Sequence, residues 1–133
     1  MQAQVFKIHS DFYYVKNSKH IEFVCKLKDT LKKQKEEVRV GDFVELTSDN
    51  NFISKLLKRK NALLRPKVAN IDIALVVCAL KEPELDLIQL NRYLTYLKYF
   101  KINCAICFNK EDLDNNLLEN KEKIEKIYSS LNY

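Results

Sequence analysis

The 133-residue chain is long enough for one domain or two very small ones, and 47% of its residues are hydrophobic, which is enough for a core. No apolar stretch approaches the roughly 20 residues that span a membrane, and the first residues lack a basic-then-apolar signal pattern, so the sequence favours a protein without a membrane span or leader. The net charge of +5 is uneven: residues 1–67 carry 15 Lys and Arg against 8 Asp and Glu, whereas residues 68–133 carry 8 against 10. This asymmetry predicts that the first half binds a polyanion.

Five short strands are predicted in the first half, from alternating apolar residues bounded by turn residues. They span residues 2–10, 12–17, 21–28, 43–47 and 51–57. The third alternates best, with Ile21, Phe23, Cys25 and Leu27 on one face. The polar segment 29–39 is predicted to be a loop or a short helix, and Gly41, the only glycine, opens the fourth strand. Five strands with a break after the third predict a small Greek-key barrel of the OB type.

Such barrels bind oligonucleotides on one strand face and the flanking loops. Rings that could stack on bases are present in Phe12, Tyr13, Tyr14 and Phe43, although core packing is the more common use of each ring. A lysine-rich stretch is predicted to contact RNA phosphates, with a solvated surface as the alternative. Its candidate residues are Lys26, Lys28, Lys32, Lys33 and Lys35.

The segment 55–67 is predicted to be an ordered crossing between two domains, because Pro66 biases Arg65 toward an extended backbone. We therefore predict an RNA-binding domain with its linker over residues 1–67 and a second domain over residues 68–133. The cations of the crossing are equally consistent with contacts to an rRNA backbone and with a domain interface. They are Lys58, Arg59, Lys60 and Arg65.

The second half is predicted to fold as an incomplete α/β (βαβα) unit. Two apolar runs, 71–80 and 102–108, are predicted to be parallel strands that are buried on both faces. Asp86 is predicted to cap a helix that ends near residue 100 and has one apolar face, formed by Leu87, Leu90, Leu94 and Leu97. A last amphipathic helix is predicted from the spacing of Leu117, Ile124, Ile127, Tyr128 and Leu131. Two strands and two helices leave an open edge and uncovered apolar faces, so a dimer formed through the incomplete sheet is one alternative.

The most informative stretch is the second apolar strand and the polar residues after it, Asn109, Lys110 and Asp112. Open parallel sheets bind ligands beyond the carboxyl ends of their strands. A carboxylate there can accept hydrogen bonds from N1–H and N2–H of guanine, whereas adenine has no N1–H and would leave it unpaired. The motif in this context predicts a guanine site. The alternative is that Asp112 or Asp114 caps a helix from about residue 115.

The cysteines Cys25, Cys78, Cys104 and Cys107 lie in apolar runs, which is typical of free thiols in the cytoplasm. Cys104 and Cys107 form a CxxC pattern, but on a strand their side chains point to opposite faces. No metal site is predicted from them.

Three segments together resemble the family of ribosome small-subunit-dependent GTPases called RsgA or YjeQ. They are the run 59–72, the Asn91-Arg92-Tyr93-Leu94 stretch and the 109–113 motif, with the barrel and Val40-Gly41-Asp42 before them. The resemblance implies a circularly permuted GTPase domain (G domain), in which the guanine motif precedes the phosphate-binding P-loop. Two departures are Asn91, where the family usually has Asp, and the lack of Gly at the start of the first strand of the second half.

The resemblance further implies a cytoplasmic factor in late maturation of the 30S subunit that binds 16S rRNA and GTP or GDP with Mg²⁺. It also implies zinc in a C-terminal module of the parent protein. No P-loop occurs here, since the motif needs two glycines and only Gly41 is present. We therefore expect an N-terminal part of such a GTPase that contains no catalytic residue, holds no cofactor tightly and does not hydrolyse GTP alone. A stand-alone RNA-binding module without nucleotide specificity is the alternative.

Overall fold

The computed structural model describes residues 1–33, 37–113 and 117–128, and its contacts divide the chain into two compact units, Met1–Ile71 and Asp72–Tyr133. The predicted functional division after residue 67 stays a prediction. Within the described residues, no helix is both long and apolar enough to cross a bilayer.

The first unit contains a closed five-stranded barrel. Its strands are β1 (Gln2–His9), β2 (Phe12–Lys16), β3 (Glu22–Leu27), β4 (Phe43–Leu46) and β5 (Phe52–Leu56), and helix α1 (Asp29–Lys33) follows β3. The strand order is β1-β2-β3-β5-β4, with β1 paired to β4 to close the barrel. Among the five barrel strands, the β3–β5 pair is parallel and the other four pairs are antiparallel. The predicted OB-type barrel is confirmed, and each strand lies within two residues of its predicted bounds at either end.

The barrel core follows the alternation in the sequence. Val5, Val15, Val44 and Ile53 come from four different strands and are almost completely buried. In β3 the predicted inward face is confirmed for Cys25 and Leu27, which are buried. The pattern fails at Ile21, which lies outside the strand and is exposed because the ladder to β2 ends at Glu22.

The segment after β5 forms two further strands, β6 (Ala62–Leu63) and β7 (Val68–Ala69), which pair as an antiparallel hairpin. The predicted crossing therefore contains a hairpin that belongs to the first unit. Gly41 contacts this hairpin: its φ is +93°, and a Cβ there would lie 2.0 Å from the carbonyl oxygen of Ala69. Only glycine fits both the backbone angle and the close approach.

A buried ion pair holds the same region together. Asp42 is completely buried, and its carboxylate accepts hydrogen bonds from Nε and Nη2 of Arg59, each at 2.7 Å. The backbone N–H of Arg39 donates a third, also at 2.7 Å. The bidentate pair thus connects the β4 entrance to the residues that follow β5.

The second unit is a βαβ crossover followed by one more helix. Its elements are β8 (Ile73–Ala79), α2 (Leu87–Tyr99), β9 (Asn103–Asn109), a 3₁₀ turn (Glu111–Leu113) and α3 (Leu117–Tyr128). The two strands are parallel and in register from Ile73 beside Asn103 to Ala79 beside Asn109. Asp86 caps α2 as predicted, since its carboxylate accepts from the N–H groups of Ile88 at 2.9 Å and Gln89 at 3.1 Å.

Helices α2 and α3 cover one face of this two-stranded sheet. Leu90 and Leu94 of α2 pack with Ile124 and Tyr128 of α3 against the sheet. The predicted helix faces are confirmed at these positions, while Leu87 and Ile127 are exposed and Leu131 lies outside the described residues.

The prediction that both strands are buried on both faces was wrong. Ile73, Leu75 and Val77 of β8 are each about 60% exposed, because in the described part of the chain the helices pack on the opposite face only. The predicted uncovered apolar face is confirmed. Near-continuous apolar strands are typical of sheets covered on both sides, which these residues alone do not provide.

We expect Asp42→Ala to lower the free energy of unfolding of the barrel by about 3 kcal/mol, because it leaves the largely buried guanidinium of Arg59 without its carboxylate. Urea unfolding, with hydrogen exchange at the barrel amides, measures this loss. Glu22→Gln is the control: it breaks an exposed pair with Lys16 and should cost about 0.5 kcal/mol or less. Equal losses in the two variants would contradict a structural role for the Asp42 pair.

Candidate functional site

The three predicted guanine-reading residues lie at the carboxyl edge of the β8–β9 sheet. Asn109 is the last residue of β9 and pairs with Ala79, the last residue of β8. Lys110 and Asp112 follow it, and all three side chains are exposed. Because both strands are parallel and in register, their carboxyl ends meet at this edge, where such sheets bind ligands.

Local hydrogen bonds shape the loop after β9. Asn109 accepts a bond from the N–H of Lys110 through its side-chain oxygen at 2.8 Å, and Lys110 has a φ of +61°. The N–H of Leu113 donates to the carbonyl of Lys110 at 3.1 Å, which closes the 3₁₀ turn that contains Asp112. The chain therefore turns sharply away from the strand direction directly after Asn109.

Two bonds connect this loop to the loop after β8. The N–H of Leu80 donates to the carbonyl of Asn109 at 3.1 Å, so the ladder continues to the end of both strands. The ammonium of Lys110 donates to the carbonyl of Glu82. The Lys110 stem therefore lies across the sheet edge and can cover the flat face of a ligand ring there.

The helix-cap alternative stays a prediction, because the backbone N–H groups that a capping Asp112 would bind belong to residues 114 and 115, which lie outside the described residues. Asp112 lies in the 3₁₀ turn, five positions before Leu117, the first described residue of α3. Asp114, the other candidate cap, lies outside the described residues. The exposed Asp112 carboxylate lies at the edge where a parallel sheet binds ligands.

A groove beside this edge was not predicted from the sequence. It has a volume of about 530 Å³ and lies between the end of β8 and the start of α2. Among its lining residues are Cys78, Pro83, Gln89 and Tyr93. The Asn91-Arg92-Tyr93-Leu94 stretch could have indicated it, because Tyr93 lies about one helical turn after Leu90 and both residues line the groove.

Asn91, which departs from the family pattern, has a structural partner. Its side-chain oxygen accepts a hydrogen bond from the hydroxyl of Tyr128 at 2.9 Å. Burial raises the pKa of Tyr128, so the phenol stays protonated and donates near neutral pH. The neutral amide of Asn91 thus accepts this bond, whereas the Asp that the family usually has there would place a negative charge beside the core.

The CxxC cysteines lie on opposite faces of β9, as predicted. Cys104 packs among the residues under the helices, whereas Cys107 is exposed on the other face. All four cysteines are free thiols, and the described residues contain no group of three His, Cys, Asp or Glu that could hold a metal ion.

The predicted phosphate contacts are mostly exposed. Lys26 lies on β3, Lys28 directly follows it, and Lys32 and Lys33 lie in α1. Lys35 lies outside the described residues. Of the cations in the crossing, Lys58, Lys60 and Arg65 are exposed, whereas Arg59 is held by the Asp42 pair.

The predicted aromatic candidates fall into two groups. Tyr13 packs against the barrel core, and burial, with a smaller effect of Asp11, raises the pKa of its phenol. Phe12 and Phe43 are each more than 40% exposed, so the core interpretation was wrong for them, and Tyr14 is half-buried.

One exposed ring, Phe6, was missed. The alternation of β1 should have revealed it, because Val5 points inward and its neighbour must point outward. Phe6 and Tyr14 meet edge to face, with ring centroids 6.3 Å apart. Together they place an aromatic pair on the outside of the barrel.

Comparisons with known proteins agree along the whole chain. Residues 2–54 match the model of the RsgA N-terminal domain, and residues 56–133 match that of the RsgA GTPase. The chain is 34% identical to the small ribosomal subunit biogenesis GTPase RsgA of Clostridium perfringens, with 100% of the chain covering 46% of that protein. It is 37% identical to the protein of the same name from Clostridium novyi, with 96% of the chain covering 44% of it.

Two solved structures share the fold. The chain matches YjeQ from Thermotoga maritima with a TM-score of 0.85 and 30% identity, over 98% of the chain and 49% of that protein. It matches YloQ, described as a circularly permuted GTPase, with a TM-score of 0.81 and 26% identity, over 99% of the chain and 49% of that protein. The chain thus spans about half the length of the relatives it matches.

We expect Cys107 to react first when the folded protein is treated with iodoacetamide, because its side chain is exposed. Burial raises the pKa of Cys78, Cys104 and Cys25, which lowers the thiolate fraction of each, and Cys25 should react last. Peptide mass spectrometry over time gives the order. A Cys104 that reacts as fast as Cys107, or a disulfide between them, would contradict the opposite-face geometry.

Proposed function

Since the chain belongs to the RsgA GTPase family, we propose that it acts as the N-terminal part of a GTPase in late maturation of the small ribosomal subunit. Its relatives are small ribosomal subunit biogenesis GTPases. Under this proposal the barrel binds 16S rRNA of the 30S subunit, the second unit reads guanine, and the protein acts in the cytoplasm. The proposed boundary after residue 67 separates these two roles.

The guanine role rests chiefly on the position of Asn109, Lys110 and Asp112 at the carboxyl edge of an in-register parallel sheet. Asp112 would accept hydrogen bonds from N1–H and N2–H of guanine, and Asn109 would serve the N7 and O6 edge. The stem of Lys110 would cover the ring. Adenine would leave the carboxylate desolvated and unpaired, and this penalty would supply the selectivity.

The same residues do not supply phosphate or Mg²⁺ binding. The single glycine, Gly41, lies in the barrel unit, and the sequence contains no P-loop. The described residues also offer no cluster of metal ligands. We therefore propose that these 133 residues bind GTP and GDP weakly and do not hydrolyse GTP, since phosphate and Mg²⁺ contacts dominate this class of site. The Mg²⁺ and zinc that the resemblance implies remain expectations for the parent protein.

A stand-alone RNA-binding module is the second candidate function. It is favoured by the contrast between the barrel, which is closed, and the β8–β9 sheet, which leaves one apolar face exposed in the described part of the chain. On this hypothesis the second unit is a platform without nucleotide specificity, or pairs with a second copy through its incomplete sheet. Guanine selectivity distinguishes it from the first proposal.

We expect guanosine monophosphate, and not adenosine monophosphate, to shift the NMR resonances of residues 109–113 when either is added at millimolar concentration. Asp112→Asn should remove the difference, because a neutral amide no longer pairs with both guanine donors. Glu111→Gln is the matched control, since it removes a neighbouring exposed charge and should leave the selectivity intact. Equal responses to both nucleotides would favour the RNA-binding module.

We expect the triple variant Lys28→Gln, Lys32→Gln, Lys33→Gln to weaken binding to purified small ribosomal subunits. The logarithm of the association constant falls linearly with the logarithm of the salt concentration. The steepness of this line should decrease by about 0.7 to 0.9 for each phosphate contact that is lost. Co-sedimentation at several salt concentrations measures both quantities. A triple Lys→Gln variant of α3, at Lys121, Lys123 and Lys126, makes the same change in net charge, and an equal effect of both variants would contradict a specific role for the barrel.

A further inference from the structure

The outward face of β1, β2 and β3 carries aromatic rings, three of which each have a lysine ammonium nearby. We call this surface the aromatic–lysine face. It consists of Phe6, Lys7, Phe12, Tyr14, Lys16 and Lys26. Only Phe12, Tyr14 and Lys26 belong to the predicted RNA-binding candidates.

Strand geometry brings these residues to one surface. Val15 points into the core, so its neighbours Tyr14 and Lys16 point outward, as does Phe12. In the ladder between β1 and β2, Tyr14 pairs with Lys7 at a register shift that follows Val5. The shift lets the consecutive residues Phe6 and Lys7 both be exposed.

Each ring of the face lies near a lysine from another position in the sheet. The Nζ atom of Lys7 lies 4.9 Å from the ring centre of Tyr14, and that of Lys26 lies 5.0 Å from the ring centre of Phe12. The Nζ atom of Lys16 lies 5.2 Å from the ring centre of Phe6. These distances are in the range of cation–π contacts, so cations and ring faces alternate over one surface.

This alternation matches the chemistry of a single-stranded nucleic acid. A base offers a flat π-face to an aromatic ring, and the adjoining phosphate offers an anion to an ammonium. An exposed cation–π contact is weak, so a base can replace the lysine over the ring while the lysine moves to the phosphate. A duplex keeps its bases stacked on one another and offers only its backbone.

We propose that the aromatic–lysine face binds unpaired bases of single-stranded RNA by stacking them on Phe6, Phe12 and Tyr14. The inference rests on the proposed RNA-binding function of the barrel and adds the surface, its residues and the preference for unpaired RNA. Lys7 and Lys26 supply the charge for phosphate, since Lys16 forms an ion pair with Glu22 at 3.0 Å.

The test is fluorescence anisotropy with a labelled RNA of about 12 nucleotides of A and C, which is within the site size of one barrel. The same RNA annealed to its complement provides the duplex. We expect the 133-residue protein to bind the single strand more tightly than the duplex. Replacing Phe6, Phe12 and Tyr14 by Leu keeps apolar surface but removes the rings, and should weaken single-strand binding by about 5-fold or more for each stacked base that is lost.

Tyr99→Leu is the matched control. Tyr99 is a ring that is more exposed than Phe6 and Phe12, and it lies on α2 of the second unit and not on the barrel. This variant should bind the single strand as the unchanged protein does. A second variant, Lys7→Gln with Lys26→Gln, should weaken binding and reduce its salt dependence without removing the preference for unpaired RNA.

Equal affinity for single strand and duplex, or full single-strand affinity in the Leu variant, would overturn the inference. Binding of the same proteins to purified small ribosomal subunits separates this result from a failure of the proposed function. Subunit binding that survives loss of the rings would leave the function intact and refute stacking. Single-strand binding without any subunit binding would support the face and refute the ribosomal function. Circular dichroism of each variant confirms that the barrel is folded.

Discussion

The parallel pairing of β8 with β9 is the constraint on which the candidate nucleotide site depends. Seven residue pairs are in register, so the last residues of both strands, Ala79 and Asn109, lie side by side. A shift of one residue would turn Asn109 to the other face and separate Lys110 from Glu82. The helices enforce the register, because Cys104, Ile106 and Phe108 must face the core with Val76 and Cys78.

The barrel depends on a different kind of constraint, a buried carboxylate at its β4 entrance. Asp42 is fully buried and is satisfied by the guanidinium of Arg59 and the backbone of Arg39. Gly41 beside it allows the chain to approach Ala69 of the hairpin. Arg59, a residue of the predicted RNA-binding set, thus pairs with a buried carboxylate of its own unit, and the proposed RNA contacts fall to the exposed lysines.

Several aromatic rings of the barrel lie on its outer surface, although aromatic side chains of a small domain commonly pack in the core. The core is built instead from small β-branched residues such as Val5, Val15 and Val44. Valine and leucine make up most of the core, with only Tyr13 and Phe23 of the described rings packed against it, and Phe6 and Phe12 point outward beside lysines. The alternation that turns the small residues inward therefore also places the aromatic rings and lysines on the outer surface.

Local patterns in the sequence were sufficient for the barrel strands, the cap at Asp86, the inward residues Leu90 and Leu94, and the opposite faces of Cys104 and Cys107. All of these follow from periods of 2 and 3.6 residues that each segment carries by itself. The position of Asn109, Lys110 and Asp112 after a strand was equally visible, because it needs only one apolar run and the polar residues behind it.

Only the tertiary structure decided which side chains meet across strands that are far apart in sequence. Four features depend on such pairings between distant segments. They are the buried ion pair of Asp42 with Arg59, the contact of Gly41 with the hairpin, the lysines over the rings of the aromatic–lysine face, and the exposed face of β8. The apolar sequence of β8 predicts that the strand is buried, but it does not predict which segment covers each face. In the described residues the helices cover only one face of the sheet. Sequence periodicity assigns each side chain a face, whereas contacts between segments are set by how the faces pack.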